Sequence, residues 1–132
     1  MLDKGSIGRG QVWLVKFPFE EDLTQGKDRT CLILGWSEFG PNQDEMIWIM
    51  PISTFDGNKS KAKKSDLLLD PYSMDFLSKG SYLRTARVAS VGPKSILSNM
   101  KYFGTVPKEV LELAAEATIR IFERRSPIGN FK

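Results

Sequence analysis

Hydrophobic and polar positions divide the chain into an alternating, strand-like first three-quarters and a final stretch with helical period. The segment 10–17, GQVWLVKF, is rich in β-branched and aromatic residues. Pro18 ends it, because proline donates nothing to a sheet ladder. A polar loop, FEEDLTQGKD, leads to RTCLILGW at 29–36, whose unbroken apolar run predicts a central strand covered on both faces. The turn-forming stretch SEFGPNQDE separates this from EMIWIMPIST at 45–54, a third strand. The polar, basic segment 56–65, DGNKSKAKKS, predicts an exposed loop, and SDLLLD after it a short strand.

Residues 70–81, DPYSMDFLSKGS, read as an irregular excursion. SYLRTARVASV at 81–91 then predicts one long strand with Tyr82, Arg84, Ala86, Val88 and Ser90 on one face and Leu83, Thr85, Arg87, Ala89 and Val91 on the other. After a turn at GPKS, MKYFGTV supplies one more strand. From about 107 to 125 the period becomes 3.6, with Val110, Ala114, Ala117 and Ile121 as a stripe widened by Leu113 and Phe122. Thr105 is the expected N-terminal cap, Pro107 suits the first turn, and Arg124 and Arg125 suit the negative end of the helix dipole. Five or six short strands and one terminal amphipathic helix predict a mainly β (α+β) fold, a small curled barrel with the helix packed on it. The chain is expected to form one domain over 1–132, with flexible ends at 1–8 and 126–132.

Composition narrows the chemistry more than the fold. The 132 residues are 41% hydrophobic and 27% charged, with a net charge of +3 and a pI near 9.0. That mild basic excess permits an anionic partner without demanding one. No apolar run approaches the roughly 20 residues of a membrane span. The start, MLDKGSIGRG, lacks a signal-peptide core, and Cys31 is the only cysteine, so a reducing cytoplasm is expected. The chain contains no histidine. This removes the commonest metal ligand and general base and every nucleophile paired with histidine. Chemistry must come from carboxylates, arginine, lysine, hydroxyls or the backbone, and neither metal nor cofactor is expected. Cys31, inside the central strand, reads as a buried inert thiol. Trp13, Trp36 and Trp48 read as core or dimer interface.

The run RGQVWLVKFPF, the junction QGKDRTCLIL, the strand end MPIST, the strand SYLRTARVASV and the closing GTVPKEVLELAAEATIRIF follow one another in an order that resembles the MazF/PemK toxins of type II toxin–antitoxin systems. The likeness extends from about residue 9 to about 122. It implies an SH3-like barrel of the MazF/PemK/CcdB kind, working as a homodimer. It also implies an endoribonuclease that cuts single-stranded mRNA at short sequences without metal, a cognate antitoxin that blocks it, and DNA binding as the antitoxin complex. Under that resemblance Arg29 matches the arginine after the first loop, Ser53 the hydroxyl residue ending the third strand, and Arg84 a catalytic arginine of some members. Thr30 replaces the proline that usually follows the first arginine. Ala86 stands where those members place an acid, and Thr24 where others have glutamate.

Metal-free cleavage needs an in-line 2′-hydroxyl attack, stabilisation of phosphate charge and movement of protons. Arginine suits the second task, because its planar fork grips two phosphate oxygens and stays charged. Arg29 and Arg84 are therefore expected on the phosphate, and Ser53 on the 2′-hydroxyl or a phosphate oxygen, with Thr54 as the alternative if the register slips by one. The base is expected among the loop carboxylates Glu20, Glu21, Asp22 and Asp28, with Glu20 and Glu21 preferred; the alternative is a slower, purely electrostatic mechanism with water as base. RNA contacts are expected from Phe17, Phe19, Thr24, Gln25, Lys27, Thr54 and Phe55 and from the loop lysines Lys59, Lys61, Lys63 and Lys64. A non-catalytic protein on the same fold, either a CcdB-type gyrase poison or an inactive antitoxin-binding regulator, is the competing reading.

Overall fold

The computed structural model describes residues 7–17, 27–39, 44–54, 66–69, 74, 76–77, 80–97 and 101–123. Seven strands run among them: β1 (Gln11–Phe17), β2 (Lys27–Phe39), β3 (Asp44–Thr54), β4 (Leu67–Leu68), β5 (Ser81–Leu83), β6 (Ala89–Val91) and β7 (Tyr102–Thr105). A one-turn helix α1 (Lys94–Leu97) precedes β7, and α2 (Lys108–Phe122) follows it. All pairings are antiparallel, in the order β4-β5-β3-β2-β1-β7, with β6 also on β3. No helix among the described residues is long and apolar enough to cross a membrane.

The three long strands lie where the alternation places them, and β2 is central and covered on both faces as its apolar run predicts. Cys31 and Ile33 join Trp13, Val15, Ile47, Ile49, Val91 and Ile96 in one cluster. Leu32 joins Val12, Met50, Leu83, Val110 and Ala114 in another, under α2. Each fully buried aliphatic side chain contributes on the order of 1.5–3 kcal/mol by leaving water, so the two clusters together fix the curl of the sheet. The Trp13 indole, fully buried, donates to Gln11 Oε1 at 2.9 Å, so its polar atom costs nothing inside the core.

The segment 81–91 departs from expectation: it is two strands rather than one. Leu83 faces Ile52 on β3 and Ala89 faces Ile49, so six residues of this segment span three of β3. The surplus loops out as a 3-10 turn over Thr85–Arg87. The cause lies on β3. Arg84 would be the next residue to pair, and its amide does donate to the Pro51 carbonyl at 2.9 Å. An antiparallel pair of this kind exchanges two such bonds, and Pro51 has no N–H with which to return the second. The Arg84 carbonyl takes the Arg87 amide instead, at 3.0 Å, which closes the turn. The single two-face alternation expected for 81–91 is therefore lost beyond Arg84, and Ala86 and Arg87 stand exposed on the turn.

Helix α2 starts one residue after Pro107, which occupies the cap position, and no side chain caps it. Thr105 does not cap; its hydroxyl bonds the Tyr102 hydroxyl at 2.7 Å. The buried stripe is Val110 and Ala114, flanked by Leu111 rather than Leu113. Arg124 and Arg125 lie outside the described residues.

Gly104 crosses beneath Phe76, and a Cβ there would meet the ring at 2.4 and 2.7 Å. At Gly35 a Cβ would meet nothing within 4 Å. Gly104→Ala should therefore destabilise the fold by about 1–3 kcal/mol through overpacking, whereas Gly35→Ala should change stability by less than about 0.5 kcal/mol. Urea unfolding of the two variants checks this, and equal midpoints would contradict it.

Candidate active site

The same break at Pro51 builds the most organised polar cluster among the described residues. Ser53 on β3 is paired with Tyr82 on β5, so their side chains rise on one face, and Arg84 follows two residues on. The Arg84 Nε donates to Ser53 Oγ at 2.8 Å and Nη2 donates to the Tyr82 hydroxyl at 3.2 Å. Its Cζ lies 5.5 Å from the Tyr82 ring centroid, within the range of a cation–π contact. Tyr82 is 1% exposed, so the guanidinium rests on a buried platform. Arg84 itself is half-buried.

These contacts define what Arg84 can still offer. Guanidinium carries five N–H donors in a planar fork. The edge formed by Nε and Nη2 is filled by two hydroxyls, leaving the Nη1 hydrogens and the second Nη2 hydrogen. Ser53 Oγ has accepted a bond and keeps its own proton to donate. It is thus Ser53 that meets Arg84. Thr54, paired with Ser81, is exposed and points to the opposite face.

Arg29 approaches the same region from β2. Cys31 pairs with Pro51, the last cross-strand pair of β2 with β3, and alternation along each strand from that pair turns Arg29 and Ser53 to the same face. The cation on that face is felt at Cys31: burial pushes the thiol up to about 12, and the nearby Arg29 charge opposes the shift without cancelling it. The Cys31 Sγ also donates weakly to the Arg29 carbonyl at 3.5 Å.

Of the sequence-predicted residues, Arg84 and Ser53 are brought into contact and Arg29 is carried to their face. Phe17 and Lys27 form the closing backbone pair of β1 and β2. Glu20, Glu21, Asp22, Phe19, Thr24, Gln25, Phe55, Lys59, Lys61, Lys63 and Lys64 lie outside the described residues. Among the described residues, no group of three or more His, Cys, Asp or Glu side chains could hold a metal. The residue that sequence reasoning passed over is Tyr82, treated there only as a strand position. The available signal was its place two residues before Arg84, which puts both on one face.

A concave feature lies on the α2 side of the sheet, an open apolar groove of about 470 Å³ bordered by Trp36, Trp48, Leu111 and Ile119. Trp36, 37% exposed, belongs to this rim rather than to the core that Trp13 occupies.

Residues 8–122 match the sequence model of the PemK-like, MazF-like toxins of type II toxin–antitoxin systems. The chain belongs to that family. A solved structure described as an endoribonuclease in complex with its cognate antitoxin from Mycobacterial species is similar in fold, with a TM-score of 0.60 and 15% identity, covering 92% of this chain and 100% of that one. No curated protein matches the sequence. The curled antiparallel sheet with its C-terminal helix is thus the toxin-family fold.

A thiol pushed to about 12 is neutral throughout the working range, and Cys31 is fully buried in the cluster with Trp13, Val15 and Ile33. Native toxin should resist iodoacetamide at pH 8, and the urea-unfolded chain should react at the ordinary rate of a free cysteine. Because the folded state favours the protonated thiol, this group costs no stability below the ordinary thiol pKa. It costs progressively more as pH rises above that value. Rapid alkylation of the folded protein would show that Cys31 is accessible after all.

Proposed function

We propose that this toxin-family protein is a metal-independent endoribonuclease acting on single-stranded RNA, with Arg84, Arg29 and Ser53 as its phosphate-handling residues. The observation that carries the reading is the Arg84 guanidinium held by Ser53 and Tyr82, with unspent N–H donors, on the face that Arg29 shares. A phosphodiester is what such an array suits. The 2′-oxygen bonds to phosphorus, the bond from phosphorus to the 5′-oxygen breaks, and the products are a 2′,3′-cyclic phosphate and a free 5′-hydroxyl. Charge grows on the non-bridging oxygens during attack, and cations fixed beforehand stabilise it without reorganising. The Ser53 hydroxyl, its oxygen already committed to Arg84, donates its proton to a phosphate oxygen.

Arginine stays charged at any relevant pH, so it does not move protons. The proton of the 2′-hydroxyl goes to a carboxylate of the first loop, Glu20 or Glu21 being preferred, and the 5′-oxygen regains one from the acid so formed or from water. Phe17, Phe19 and Phe55 would stack unpaired bases, while Thr24, Gln25, Lys27 and Lys59, Lys61, Lys63 and Lys64 would follow the backbone; Thr54, on the opposite face, drops out of this set. In this reading the protein works in the cytoplasm as a homodimer. Its partner is a cognate antitoxin, as in the structurally similar endoribonuclease complex.

The exposed Ala86 on the turn, where an acid would otherwise accompany Arg84, favours a second reading in which the fold only binds its target. One experiment separates the two. Purified protein incubated with a long single-stranded RNA in EDTA should yield fragments with 5′-hydroxyl ends. Arg84→Ala and Arg29→Ala should each lower kcat/KM by roughly 10²- to 10³-fold, the loss expected for one preorganised charge donor. No cleavage across varied sequences would favour the binding reading, and cleavage unaffected by both substitutions would remove these residues from the site.

A further inference from the structure

We infer that Tyr82 is a positioning residue of the same site: with Ser53 it fills the Nε/Nη2 edge of Arg84 and so commits the end-on edge, Nη1 and Nη2, to the phosphate. This rests on the nuclease reading of Arg84. An arginine meets an oxyanion through either of two edges, and each gives two parallel N–H bonds. Here the side-on edge is closed, since Ser53 Oγ takes Nε at 2.8 Å and the Tyr82 hydroxyl takes Nη2 at 3.2 Å. The ring beneath Cζ, at 5.5 Å from its centroid, stops the guanidinium from tipping toward the core.

Tyr82 suits this work because it cannot itself move. It is 1% exposed and paired on both sides, with Ser53 of β3 and with Leu68 of β4. A long arginine side chain otherwise samples many rotamers, and fixing it costs conformational entropy when the substrate arrives. Two hydroxyls, one ring and the backbone bond from Arg84 to Pro51 settle that cost during folding. The orientation also separates the roles of the two hydroxyls. Ser53 is half-buried and holds Arg84 while keeping part of its surface open, whereas Tyr82 is buried and shut off from a substrate on the surface.

The test is Tyr82→Phe, which keeps the ring and removes only the hydroxyl. In cleavage assays kcat should fall about tenfold, the ratio set by loss of one hydrogen bond to a charged group, with KM unchanged. The same substitution placed in Arg84→Ala should cost nothing further, because Tyr82 acts through the side chain already removed. Unchanged kcat in Tyr82→Phe, or losses that multiply in the double variant, would overturn the assignment. A second readout does not depend on cleavage. The Arg84 Nε–Hε NMR signal, assigned by its disappearance in Arg84→Lys, should be sharp and slow to exchange in the wild type. In Tyr82→Phe it should broaden and exchange faster, and a signal unchanged in that variant would also overturn the assignment. If the wild-type protein proves unable to cleave RNA, the nuclease reading falls while this signal still decides whether Tyr82 holds Arg84.

Discussion

A missing proton on β3 governs the arrangement of everything around the candidate site. Pro51 turns its carbonyl toward β5 and accepts the Arg84 amide, but it has no N–H to complete the pair. The ladder stops there, the Arg84 carbonyl is satisfied by Arg87, and the chain spends three residues in a 3-10 turn before rejoining β3 further along as β6. Had the ladder continued, Arg84 would be one residue in a regular strand with its neighbours in register. Because it ends, Arg84 stands at a strand terminus with its side chain folded back over Tyr82 and Ser53. The ladder of β2 with β3 also ends at Pro51, opposite Cys31, and alternation from that pair turns Arg29 to the face on which this happens.

The site that results is electrostatic in character and short of proton carriers. Its described cations are arginines, which hold charge and geometry well and exchange protons badly. Its hydroxyls are committed in part to holding Arg84. A preorganised array of this kind stabilises charge that develops in a transition state, and leaves acid–base work to groups brought from the first loop. The buried thiol of Cys31, two residues along β2 from Arg29 and on the same face, is kept neutral by desolvation.

Much of the fold was legible in the sequence because hydrophobic alternation is a local signal. GQVWLVKF, RTCLILGW and EMIWIMPIST carry it strongly, and the doubly covered β2 followed from the unbroken apolar run through Cys31, Leu32 and Ile33. The break within 81–91 was not legible, since SYLRTARVASV alternates well enough for one strand. The residue that interrupts it, Pro51, sits on the partner strand, some thirty positions away in sequence. The cap of α2 failed for a related reason: Thr105 has the right chemistry for the helix end, but Tyr102 on the same strand takes its hydroxyl first. For the site, Arg29, Ser53 and Arg84 came from a resemblance in motif order, and their own composition would have dismissed each as a strand-end polar residue. The hydrogen bond that joins Ser53 to Arg84, and the part played by Tyr82, depend on strand pairing that no single segment encodes.

The central claim is that the face shared by Arg29, Ser53 and Arg84 receives a scissile phosphate. It is tested most directly by a crystal structure of the protein with an oligoribonucleotide that spans a mapped cut site and carries a 2′-deoxy sugar at the attacking position. The predicted result is a phosphate whose oxygens lie about 3 Å from Arg84 Nη1 and Nη2, with Nε still on Ser53 and the Arg29 guanidinium on the same phosphate. A scissile phosphate bound away from this face, or an Arg84 that abandons Ser53 and Tyr82 to meet it side-on, would contradict the account.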